Sequence, residues 1–199
     1  SGCSSQPTAA AARPSDAQRD KTFSRVLVVG VTPHVNQRCG FEFFLASQIK
    51  SESTQGIRSC DAVKEKNPLT LESIEAAIAA QQVDAVVATT LVTADWGAEE
   101  GRGRDERGGG MYKATDAGYA TGYYGAYGIP VVYGEFQTAP SITTVTGKVK
   151  VITKVYETRG ATLVYTVETT AKNLESRDAA LASVAESIAK RLRREGLIR

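Results

Sequence analysis

The sequence predicts an α/β fold: a mixed sheet of about five or six strands, built as β-α-β-α-β followed by an antiparallel hairpin and a C-terminal helix. Three observations predict it. Two apolar, β-branched runs, "RVLVVGV" and "VDAVVATTLV", alternate with segments of helical period, the pattern of strands buried on both faces of a largely parallel sheet. From Val145 to Val155 the pattern changes to alternation, with Val145, Gly147, Val149, Val151 and Val155 at odd positions and Lys148, Lys150 and Lys154 at even ones, as in a half-exposed antiparallel strand. The chain then ends in a segment whose charges are sorted to suit a helix dipole.

Each element follows in order. Residues 4–20, "SSQPTAAAARPSDAQRD", are rich in Ser, Ala, Pro and Gln without apolar periodicity and read as a flexible tether. Arg25–Val31 is the first strand. From Cys39 to about Ser53, Phe41, Phe44, Leu45 and Ile49 fall on one helical face, with Gly56 just beyond the end. Ile57–Val63 reads as a short second strand. Pro68 and Thr70 open a second helix carrying Leu71, Ile74 and Ile78, which leads into a third strand at Val83–Val92, and a further strand is expected near "IPVVYGEFQ". After the Val145–Val155 strand, Glu157–Gly160 reads as a turn and Leu163, Tyr165 and Val167 alternate along the return strand. Leu181, Val184, Ile188 and Leu192 mark the last helix, with Glu175 and Asp178 near its start, Arg191, Arg193 and Arg194 near its end and Gly196 as its stop.

At 199 residues and 42% hydrophobic composition, the chain suits one domain at 23–199 behind an anchor and tether at 1–22. Its net charge of +2 supplies no long-range field toward nucleic acid or anionic lipid, so no nucleic-acid partner is expected. No apolar run approaches the roughly 18 residues that span a bilayer.

Catalytic signatures are missing. "GVTPHVNQRCG" lacks the glycine spacing and lysine of a phosphate loop. His34 is the only histidine; without a GxSxG elbow it reads as a polar loop residue, and it argues against a zinc site. Glu99–Glu100 and Asp105–Glu106 sit in glycine-rich sequence and read as solvated charge rather than acid/base pairs. The basic cluster Lys190, Arg191, Arg193 and Arg194 is explained by the helix dipole, with contact to phosphate or lipid headgroups as the other reading. The expectation is a noncatalytic protein with no cofactor and no metal ligand.

Residues 96–128 stand apart. They hold the one Trp, Trp96, more than half of the 18 glycines, and Tyr112, Tyr119, Tyr123, Tyr124 and Tyr127. The stretch is too long for an ordinary connection. Its aromatic rings on a pliable backbone suit protein recognition, so these six residues are the candidate partner-binding set. An excursion laid over the sheet edge is the alternative.

The opening Ser1-Gly2-Cys3 resembles the end of a bacterial lipoprotein signal, in which the cysteine carries the fatty-acyl (palmitate) anchor and becomes the mature N-terminus. A cloning remnant before an unrelated cysteine is the bland alternative. That resemblance implies export, and Ser4 after the cysteine implies retention at the periplasmic face of the outer membrane, held by the lipid anchor only. In the oxidising periplasm a disulfide persists, and with Cys3 lipidated, Cys39 and Cys60 become the pair. Chain geometry agrees, since a helix running back down the sheet and a strand climbing again return Cys60 toward Cys39. Two separate buried thiols are the other possibility.

The element order, "RVLVVGV", the "RCGFEFFLASQI" helix with Glu42 after an aromatic, "VDAVVATTLV" and the ending "IAKRLRREGLI" together resemble the N-terminal domain of TolB and LpoB-like periplasmic domains. The resemblance implies a small mixed-sheet domain of the bacterial envelope. The resulting expectation is a lipid-anchored module that binds another cell-envelope protein as an accessory or assembly factor, through the Gly/Tyr segment and adjoining sheet edge. A periplasmic small-ligand binding protein, with its pocket where the strand ends meet that segment, is the runner-up.

Overall fold

The structure, a computed structural model, describes residues 8–12, 21–32, 35–63, 69–97, 146–172 and 177–199. Strand β1 (Thr8–Ala12) precedes β2 (Arg25–Val31), helix α1 (Val35–Ile49), β3 (Gln55–Arg58), the helical turn α2 (Ser59–Ala62), α3 (Leu71–Gln81), β4 (Ala85–Gly97), the hairpin β5 (Thr146–Glu157) and β6 (Thr162–Lys172), and α4 (Arg177–Arg194). The strands form one mixed sheet in the order β1-β6-β5-β4-β2-β3. β3, β2 and β4 are parallel, while β4, β5, β6 and β1 are antiparallel. This is the α/β class that the sequence predicts.

The apolar runs are continuous because the central strands are covered on both faces. Val26 and Val28 of β2 join Val87, Val151, Val155, Tyr165 and Val167 under Phe41, Leu45 and Ile49 of α1 and Val184, Ile188 and Leu192 of α4. Leu27 and Val29 point the other way, against Val86, Ala88, Leu69 and Ile74. Thr89 and Thr153 cross the β4–β5 ladder as a buried hydroxyl pair 2.9 Å apart, so neither polar group lacks a partner. At the opposite end of the sheet from the loops that leave β2 and β4, the Asp84 carboxylate accepts from the N–H groups of Ser24 and Arg25 at 2.8 and 2.9 Å, fixing where β2 begins.

Helix ends follow their local chemistry. Thr70 and Ser73 form a reciprocal capping box at the start of α3. Gly196, at φ +72°, lets the N–H groups of Gly196 and Leu197 turn back to Arg193 and Leu192 at the end of α4.

Five expectations are corrected. The segment Ile57–Val63 is not one strand: β3 occupies Gln55–Arg58, and Ser59–Ala62 curls into α2 because tertiary hydrogen bonds capture Ser59 and Cys60. α1 spans Val35–Ile49 rather than reaching Ser53, since the Ser51 hydroxyl accepts from the N–H of Thr54 and closes a turn there. Leu71 is exposed, and Ala77 with Ile74 forms the buried side of α3. β4 runs past Val92 to Gly97 because β5 keeps pairing with it after β2 has ended, through a register shift between Leu91 and Thr93. Within the expected tether, residues 8–12 form β1 along β6, because an open strand edge offers main-chain donors and acceptors that need no side-chain pattern. The strand expected near "IPVVYGEFQ" lies outside the described residues.

Gly56 does not stop a helix. It sits in β3 where α1 presses closest, and a Cβ there would stand 2.5 Å from the Ala46 carbonyl oxygen. Because both groups are main chain, relief requires separating helix from strand. Gly56→Ala should destabilise the fold by about 1–3 kcal/mol, seen as a lower midpoint with an unchanged slope in denaturant unfolding. An alanine variant as stable as the parent would contradict this packing.

Candidate functional site

Helix α1 presents two stripes. Arg38, Glu42, Leu45 and Ile49 recur at helical spacing and all four are fully buried, so the sheet-facing stripe turns ionic at its N-terminal end. Cys39, Phe43, Ala46 and Ser47 make the neighbouring stripe, continued by Lys50 just past the helix end, and it faces α2 and the edge strand β3.

The two stripes meet at the carboxylate of Glu42. Its Oε1 accepts from the Gly30 N–H at 3.0 Å and from the Ser59 hydroxyl at 2.5 Å, and its Oε2 accepts from the Cys60 N–H at 2.9 Å. The Arg38 Nε lies 3.8 Å from Oε1. One side chain therefore ties the carboxyl end of β2 and the start of α2 to α1. The Cys39–Cys60 disulfide joins the same two helices, with Cα atoms 5.6 Å apart. Gly30 belongs to this junction because a Cβ there would come within 3.2 Å of the Arg38 side chain.

Burial pushes the Glu42 carboxyl above its ordinary value of 4.5; the hydrogen bonds from Ser59, Gly30 and Cys60 and the Arg38 charge offset this in part. Chemically the cluster is closed, since every donor comes from the protein and the carboxylate is 0% exposed. It holds structure rather than reaching a substrate.

The predicted site residues distribute unevenly. Cys39 and Cys60 are joined. Trp96 lies in β4 opposite Gly147 rather than in a loop, whereas Cys3, Tyr112, Tyr119, Tyr123, Tyr124, Tyr127, His34 and the paired carboxylates at 99–100 and 105–106 lie outside the described residues. The basic residues at the end of α4 make internal contacts: Lys190 with Glu186 at 2.7 Å, Arg191 with the Tyr165 hydroxyl at 2.8 Å and with Glu195, and Arg193 with the Gln48 carbonyl. Among the described residues, no group of three or more His, Cys, Asp or Glu side chains could hold a metal, and no helix is long and apolar enough to cross a membrane.

Sequence reasoning missed the role of Glu42 and the groove along β3. The available signal for the first was a glutamate within "FEFFL", four residues after an arginine and three after a cysteine.

No protein-family model matches the chain, and no curated protein matches it either. Among solved structures it is similar to the PelC dodecamer from Paraburkholderia phytofirmans, at 15% identity and TM-score 0.47 over 98% of this chain and all of that one. A point variant of the same dodecamer matches at 17% identity and TM-score 0.47, over 97% and 99% of the two chains.

The raised carboxyl makes a signed prediction. In the unfolded chain Glu42 titrates at its ordinary value, so the fold binds the extra proton between that value and the higher folded one. The associated stability is complete below 4.5 and declines as pH rises through the folded value. Glu42→Gln cannot titrate, so urea unfolding across this range should show a stability advantage of the parent over the variant that shrinks as pH rises. Parallel pH profiles would contradict the assignment.

Proposed function

We propose that the chain is a noncatalytic, lipid-anchored module of the bacterial cell envelope that binds another envelope protein, with Cys3 as the anchor and residues 96–128 as the recognition segment. One observation carries this reading. The β4–β5 ladder continues past the last parallel pair, Val31 with Thr90, as far as Trp96 with Gly147 and Gly97 with Thr146. The described chain thus leaves this ladder at Gly97 and rejoins it opposite, at Thr146 on the neighbouring strand, and the five tyrosines of the segment fall in the sequence interval between these two positions. A segment presented from a stable scaffold is where recognition residues are commonly placed.

The disulfide supports the compartment, because such a bond persists under oxidising conditions and is rare in the cytosol. The closed Glu42 cluster is consistent with a protein whose buried ionic groups serve architecture. Partner choice then depends on the aromatic residues that follow Trp96.

The test uses the full chain, exported in a Gram-negative host and crosslinked before purification. Replacing Tyr119, Tyr123 and Tyr124 by serine should abolish capture of the envelope partner while leaving thermal unfolding unchanged, and Cys3 should carry acyl mass. Retention of every partner by the triple variant would refute the recognition segment. A free Cys3 thiol after export would refute the anchor.

A further inference from the structure

Among the described residues the sheet ends at β3, and this edge lines a groove of about 370 Å³. Phe43 of α1 and Lys50, just past its end, stand on one side, with Asp61 of α2 and Gln81 at the end of α3 on the other. The Gln55 N–H donates to the Ser24 carbonyl at 2.7 Å, which sets the alternation along the strand. Gln55 and Ile57 direct their main-chain groups to β2; the N–H and C=O of Gly56 and the N–H of Arg58 therefore face the groove. Those three groups are spaced to pair with an incoming strand.

We propose that β3 is the docking edge for an extended, acidic peptide segment of a partner protein, which adds a further strand to the sheet. Main-chain pairing supplies affinity in this mode, and flanking side chains supply selection. Phe43 is 53% exposed, and the Arg58 guanidinium sits 5.7 Å from its ring centroid, giving an apolar platform with a cationic rim. Arg58 is matched by Asp61 at 2.6 Å. The Lys50 ammonium has no ion pair among the described residues, so the groove carries one excess positive charge and favours a carboxylate.

A second copy fits less well. Two-fold pairing of β3 with itself would bring the Lys50 and Arg58 cations of both chains to one junction, where like charges repel. A four-residue edge is also short for an interface that needs upwards of about 1,000 Å². The proposal uses none of residues 96–128, so it stands or falls independently of them.

The probe is a capped octapeptide alternating threonine and valine with one central glutamate, titrated into ¹⁵N-labelled, disulfide-intact protein. Amide shifts should concentrate at Gly56, Arg58 and Phe43. A central lysine should weaken binding by about threefold or more, and Lys50→Glu should reverse that preference. Arg58→Pro removes one outward N–H where φ is already −83°, which suits the proline ring, so binding should be lost with folding intact. Arg58→Lys keeps both the N–H and the positive charge and should retain binding. Unmoved Gly56 and Arg58 amides at about millimolar peptide, equal binding by Arg58→Pro, or concentration-dependent shifts at β3 without peptide would each overturn the proposal.

Discussion

A carboxylate removed from water must find donors inside the protein, because an uncompensated buried charge costs several kcal/mol. Glu42 meets that requirement with three hydrogen bonds and one cation, drawn from β2, α2 and its own helix. The constraint is architectural. Gly30 and Cys60 are far apart in sequence, yet neither can move from Glu42 without exposing the carboxylate to an unpaired state. The turn at Ser59–Ala62, the exit of β2 and the seating of α1 are therefore settled together, and the Cys39–Cys60 bond fastens the same junction covalently.

The consequences run outward in two directions. Toward the sheet edge, the clamped α2 and the close approach of Ala46 to Gly56 hold β3 against α1, with no strand among the described residues on its outer side beside Phe43 and Lys50. Toward the sheet centre, β2 is fixed at its beginning by Asp84 and at its end by Glu42, so β4 and its antiparallel neighbour β5 extend from this base to Gly97 and Thr146. The β3 edge and the strand ends at Gly97 and Thr146 thus depend on the same buried junction.

What was legible in the sequence were features carried by side-chain periodicity. β2 reads as an unbroken apolar run because both its faces are covered, β5 as an alternation because one face keeps its lysines, and α4 from its stripe and sorted charges. Features carried by main-chain pairing or by distant partners were not. Thr8–Ala12 has no pattern that announces a strand, since the edge of β6 asks only for backbone groups. Ser59–Ala62 looks extended beside Ile57 and Val63, and becomes a helical turn only because Glu42 collects Ser59 and Cys60. The disulfide was accessible from compartment and geometry. The role of Glu42 was hidden because its partners lie on three elements, and the groove because nothing local says that β3 is the outermost strand.

The central claim is that the Glu42 carboxylate and the Cys39–Cys60 bond act as one unit, and a double-mutant cycle on unfolding free energy tests it most directly. Replacing both cysteines by serine should cost about 3 kcal/mol, and Glu42→Gln should cost about 1–3 kcal/mol through its mismatched donors. If either change frees α2 from α1, the other has less left to lose, so the combined variant should be more stable than the sum of the two losses implies by about 1 kcal/mol or more. Strict additivity would show two independent fastenings and contradict the account.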